Sequence, residues 1–141
     1  MKYIAIFAVL LGVVILANNT RKNDVSEIEY ASQKKQMGEV EVEVLPLQLY
    51  SGAPVVFELS LDTHSVDLDY DFRKISNLKD NFGNNYNVVE WNGGSGGHHL
   101  KGELTFEKLK GNVGSIVLDL DSIGGIKEKF KWQIGGDENE I

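Results

Sequence analysis

From Gly38 onward the chain alternates: Val40, Val42 and Val44 are interleaved with Glu39, Glu41 and Glu43. A period of two cannot bury one face of a helix, but it buries one face of a strand, where successive side chains point to opposite sides. The phase slips at Leu45-Pro46, after which Leu47 and Leu49 flank Gln48. Proline has no N–H for a ladder bond, so the slip predicts a bulge or a strand passing from one sheet to another. Val55, Phe57, Leu59 and Leu61 then make a second strand with Glu58 and Ser60 outward. Further strands are expected at 75–79, 87–91, 100–106, 115–120 and 129–134. The segment 80–85 is an Asn- and Gly-rich hairpin loop. Its residues tolerate positive φ. About seven short strands with turn signals between them predict an all-β fold, an antiparallel Ig-like β-sandwich.

Before the alternation lies a different chemistry. Met1-Lys2 precedes an uninterrupted apolar run over 3–17, followed by Asn18, Asn19 and Thr20. The run suits the core of an export signal and falls short of the roughly 20 residues that span a bilayer. Residues 1–18 therefore read as a helical signal peptide or an N-terminal membrane anchor. Ala17 suits the residue before a cut, Ile15 does not suit the position two places earlier, and Arg21-Lys22 resemble an anchor's basic flank. If that flank stays cytoplasmic, the domain faces inward. The chain has no cysteine, which excludes a lipoprotein anchor and leaves the core to stand without disulfides. Residues 19–37 form a polar linker, 38–135 the sandwich and 136–141 a flexible tail. A net charge of −7 argues against nucleic acid or anionic lipid, so membrane contact is expected only through the N-terminal segment.

All three histidines fall in two short stretches, Asp62-Thr63-His64-Ser65 and Gly96-Gly97-His98-His99. Both lie at strand ends, and strand ends collect at the poles of a sandwich. If they share a pole, Asp62, His64, His98 and His99 could gather nitrogen and oxygen donors suited to copper or zinc. His98 and His99 would point to opposite faces if both were in a strand, so one of them is the better ligand. The plainer alternative is that the imidazoles brace the loops by hydrogen bonds. Asp67, Asp69 and Asp71 alternate with Leu68, Tyr70 and Phe72. The EF-hand pattern fails, because Phe72 stands where glycine belongs and Leu78 where glutamate belongs, so a wet strand face is favoured over calcium. Trp91 borders the glycine-rich loop 92–97 and reads as a cap on the core or a ligand platform. Trp91, Ser65 and Asp67 are the candidate contacts for a ligand or partner. No phosphate loop is present: no lysine followed by Ser or Thr completes the glycine-rich run 92–97, and a β pattern rather than a helix comes after it.

The order Asp62-Thr63-His64-Ser65, Asp67-Leu68-Asp69, Gly83, Tyr86, Trp91, Gly96-Gly97-His98-His99, Gly102, Ile123-Gly124-Gly125-Ile126, Phe130 and Trp132 resembles a family of exported prokaryotic β domains with no established function. The resemblance covers about 40–134, and Lys101 stands where it implies a basic residue after the histidine pair. It implies an exported β domain attached to a membrane or cell surface, and no reaction.

The sequence therefore predicts an exported, non-enzymatic binding or structural module of the cell envelope, whose partner is an envelope protein or a small ligand. The alternative is a transition-metal binding protein built on His64 and His98 or His99. A hydrolase using the same residues around a metal is a third class, without positive support.

Overall fold

The computed structural model describes residues 28–135. The expected leader at 1–18, the linker up to residue 27 and the tail at 136–141 lie outside the described residues. Strands β1 (Gln33–Met37), β2 (Val40–Gln48) and β3 (Pro54–Asp62) lead to a single helical turn, α1 (Phe72–Ile75). They are followed by β4 (Ser76–Asp80), β5 (Asn85–Tyr86), β6 (Val88–Trp91), β7 (His99–Lys108), β8 (Ser115–Ile123) and β9 (Ile126–Gln133). Two antiparallel sheets result, ordered β1-β2-β3-β7-β6 and β5-β4-β8-β9. The fold is an all-β sandwich, with nine strands among the described residues.

The alternation places the core as period two dictates. Val40, Val42 and Val44 of β2 face inward with Phe57, Leu59 and Leu61 of β3 and Leu104 and Phe106 of β7, all fully buried. The second sheet answers with Leu78, Ile116, Leu118, Leu120 and Phe130. Phe57 ties the sheets together: its ring lies 6.0 Å from Phe106 edge-on and 5.2 Å from Trp132. Such aromatic pairs add to the stabilisation that burial alone gives. The register slips between Pro46 and Gln48, so the proline marks a bulge and β2 stays in its sheet.

Three expectations are corrected. The linker predicted to run to residue 37 ends earlier, because Gln33–Met37 pairs with β2 from Gln33↔Val44 to Met37↔Val40. The stretch 67–71 is not a strand face but an extended loop, in which Leu68 is buried and Asp71 caps α1 by accepting the Arg73 N–H at 3.2 Å. The strand count exceeds seven because β1 and the two-residue β5 are added to it.

Both lateral seams of the sandwich are closed. On one side Gln33 Nε2 donates to the Lys131 carbonyl at 2.6 Å and Lys35 Nζ to the Lys129 carbonyl at 2.7 Å. Side chains of one sheet's edge strand thus cap main-chain acceptors on the edge strand of the other. On the other side the chain crosses between sheets at Asn87, between β5 and β6. There the Glu107 carboxylate accepts the Asn87 N–H at 2.9 Å, which holds that carboxyl below its ordinary pKa.

The ends of the strands make two poles. One, the histidine pole, carries the β1–β2 and β8–β9 turns, the 63–71 loop and the 92–98 loop. The other carries loops 49–53, 81–84 and 109–114, and is organised by Asp80. This buried carboxylate accepts from the N–H groups of Phe82 (2.8 Å) and Asn84 (3.0 Å), the Asn84 amide (2.8 Å) and the Tyr86 hydroxyl (2.7 Å). Burial by itself raises the Asp80 pKa, but the four hydrogen bonds outweigh it and hold the carboxyl below the ordinary range. Burial and the adjacent carboxylate push the Tyr86 phenol up.

Candidate functional site

Strand pairing decides what the histidine motifs do. Asp62 ends β3 directly opposite His99, which opens β7, and His99 Nδ1 lies 2.5 Å from Asp62 Oδ1. Their neighbours Leu61 and Leu100 are buried, so the pair stands on the outer face of the sheet, in solvent. His98 contributes its main chain: its carbonyl accepts the Thr63 N–H at 3.0 Å. Thr63 is itself buried, and its hydroxyl donates to the Glu39 carbonyl at 2.8 Å. His64 and Ser65 are exposed at the crest of the loop.

Past the histidines the two loops are laced together. Leu68 N–H donates to the Gly97 carbonyl and Gly96 N–H to the Leu68 carbonyl, each at 2.9 Å. Gly97 N–H donates to Asp67 Oδ1 at 2.7 Å. Gly96 and Gly97 have φ of +89° and +80°, a region that residues with a Cβ rarely enter. The glycines therefore let the loop turn twice and present its amides to Leu68 and Asp67. The two histidine motifs do meet at one pole, and what joins them is mainly backbone.

Among the described residues, no three His, Cys, Asp or Glu side chains gather as a metal-holding group. Of the four predicted ligands, Asp62 and His99 are brought together, and neither His64 nor His98 completes a group with them. Two donors leave a transition metal short of the three or four protein ligands it ordinarily takes.

A cleft of about 530 Å³ opens beside this lacing, between 69–73 and 91–95. Its floor is aromatic. Trp91 packs against buried Phe72 at 4.3 Å between ring centroids, and Tyr70 meets Phe72 edge-on at 6.2 Å. Its rim is polar, with Asp69, Asp71, Arg73 and Ser95 all exposed. Trp91 is fixed at both ends: Nε1–H donates to the Gly94 carbonyl at 2.7 Å, and Gly93 folds over the ring. A Cβ on Gly93 would lie 2.2 Å from the indole, and one on Gly102 would lie 2.3 Å from the Gly93 Cα, so only glycine fits at either position. With Phe72 against the indole and Gly93 packed onto it, Trp91 serves as a wall of the cleft and a cap on the core rather than a free stacking platform.

Of the predicted contact residues, Trp91 lines the cleft, Asp67 braces the loop beneath it and Ser65 stands apart in solvent. Tyr70, expected beside Trp91 as the aromatic patch of a binding module, lines the cleft as well; Phe72 and Arg73 are not among the predicted contacts. The signal for them was Asp71 followed by Phe72-Arg73-Lys74, a helix cap before a short turn that swings Arg73 to the rim.

No family model and no curated protein matches the chain. A solved structure, that of a DUF4426 family protein from Pseudomonas aeruginosa PAO1, is similar at 14% sequence identity and a TM-score of 0.46, covering 76% of this chain and 97% of that one.

Proposed function

We propose that the protein is an exported, non-enzymatic β-sandwich module of the cell envelope that binds a small ligand or a segment of an envelope protein at its histidine pole. The observation that carries this reading is the cleft between 69–73 and 91–95, whose volume of about 530 Å³ lies within the range of small-ligand sites. An apolar floor under a rim of two carboxylates, a guanidinium and a hydroxyl is a recognition surface, with acceptors and donors of both charges. The loops that frame it are held by main-chain bonds, so the site is formed before a ligand arrives.

Strand order supports a finer fold reading. The series β2-β3-β7-β6 against β4-β8-β9 follows the immunoglobulin order ABED against CFG, with β1 and β5 added outside. In that arrangement the 63–71 loop and the β8–β9 turn correspond to the B–C and F–G connections, which carry recognition in antibody variable domains. The apolar run at 3–17 supports export or anchoring at a membrane.

The test is nuclear magnetic resonance titration of the labelled protein with three probes: a cell-wall disaccharide-peptide, a short cationic peptide and a short anionic peptide. Saturable shifts confined to 69–73 and 91–95, and lost in Asp69→Ala/Arg73→Ala, are the expected result. Shifts at neither segment with any probe would retire the cleft as a site.

A further inference from the structure

The pole opposite the cleft carries most of the large apolar side chains that the described residues leave in water. Phe82 is 68% exposed, Ile28 59%, Tyr50 57% and Leu47 45%. They come from separate parts of the chain, but their loops are tied to one another. Gly52 N–H donates to the Leu109 carbonyl and Leu109 N–H to the Ala53 carbonyl, each at 3.1 Å. Asn81 N–H reaches the Ser115 carbonyl at 3.1 Å, and Lys110 N–H the Tyr86 hydroxyl at 3.2 Å.

Phe82 is not exposed by looseness. Its own N–H is bonded to the buried Asp80 carboxylate, inside the set of four hydrogen bonds that fixes the 81–84 turn. The turn therefore holds the phenyl ring outward in a fixed position, and several exposed apolar side chains at one end of a domain mark a contact surface where one alone would not.

The described chain also begins here. From the β1–β2 turn at the histidine pole, β1 runs back toward this end, and the Ala31 carbonyl accepts Trp132 Nε1–H at 3.0 Å near the close of β9. The residues before Ile28 carry the apolar run 3–17 and Arg21-Lys22. Exposed Lys108 and Lys110 flank the aromatic loops. Aromatic side chains with neighbouring lysines are what a protein places at the headgroup level of a bilayer.

We propose that this pole seats on the lipid surface through Tyr50 and Phe82, with Leu47 and Ile28 beside them, and so aims the cleft away from the membrane. The proposal extends the envelope reading above and does not depend on the cleft's ligand.

The absence of cysteine allows a direct test on the full chain. Ser51→Cys, beside Tyr50, and Ser95→Cys, on the cleft rim, each take one polarity-sensitive fluorophore, and the protein is mixed with phosphatidylcholine vesicles. The expected result is flotation with the vesicles, and a blue shift with several-fold stronger quenching by brominated lipid at residue 51 than at residue 95. Tyr50→Asp/Phe82→Asp abolishes the response at residue 51. The milder Tyr50→Gln/Phe82→Gln pair gives the same answer if the first variant fails to fold. Failure to float, equal responses at the two positions, or a response at residue 51 that survives both pairs would overturn the proposal. Cleft shifts in the titration above, with any of these failures, would leave the binding reading standing alone.

Discussion

The two poles of the sandwich are fastened by different parts of the chain. At the histidine pole the two histidine motifs are joined mainly through the backbone, Thr63 to His98, Leu68 to Gly97 and Gly96 to Leu68, with the Asp67 carboxylate added at Gly97. At the opposite pole main-chain bonds also tie the loops, but buried Asp80 and Tyr86 organise them, and the Asn81 side chain accepts the Gly114 N–H. Main-chain bonds constrain side-chain identity little, so the histidine pole keeps its shape while the exposed side chains of His64, Asp69, Arg73 and Ser95 can meet a ligand. The Asp80 pole has less freedom of that kind, because its buried polar side chains are already in use, and what it leaves outward is Tyr50 and Phe82 with Lys108 and Lys110 beside them.

The largest effect is expected from a residue with no side chain. A Cβ on Gly124 would lie 2.1 Å from the Met37 carbonyl oxygen, at a φ of +56°. Gly124→Ala must part the β1–β2 and β8–β9 turns, and should lower stability by about 3–4 kcal/mol in urea unfolding. Asp80→Ala should follow at about 3 kcal/mol, since it strands a buried phenol and three further donors. An Asp80 variant that unfolds no more easily than the parent would remove the contrast between the poles.

Acid sharpens it further. The Asp80 carboxyl titrates below its ordinary value of 3.8 in the fold, so its stabilisation is complete above the unfolded pKa and is lost as pH falls through 3.8 toward the folded value. The acid limb of the stability curve should therefore flatten in Asp80→Asn, as measured by thermal melts between neutral pH and the acid limit. At the histidine pole, Asp62→Ala breaks a solvent-exposed pair and should leave the unfolding midpoint unchanged. The smallest effects belong to the rim, where Ser95→Ala and Arg73→Ala should be silent in melts and visible only in ligand titration.

Much of this architecture can be read locally, and what cannot is non-local for identifiable reasons. Val40 to Val44, Val55 to Leu61 and the strands after them are visible because burial on one face imprints alternation on the sequence. β1 is hidden because Gln33, Lys34, Lys35 and Gln36 show no apolar period; pairing with β2 and capping of β9 make it a strand. The run 67–71 misleads in the opposite way. Leu68 and Phe72 are buried and Tyr70 packs against the core, at the spacing of a strand, yet they dock a loop whose amides are taken by Gly96 and Gly97. That the histidine motifs share a pole follows from their place at strand ends. That they pair as Asp62 with His99 depends on the β3–β7 register, and the cleft depends on α1, neither of which leaves a trace in composition.

The seam between β1 and β9 also bears on when the domain becomes whole. The hydrogen bonds from Gln33 and Lys35, and the one received by Ala31, join residues 94 to 101 positions apart. Among the described strands, the first, β1, thus waits for the last, β9, before its side chains find their acceptors. Contacts of such separation slow folding. A chain stalled or clipped before Lys129 holds two unsealed strand edges, each able to pair with a neighbour. A protein that crosses a membrane unfolded, N-terminus first, would gain from that order, because its fold could not lock until the final strand had followed the rest through.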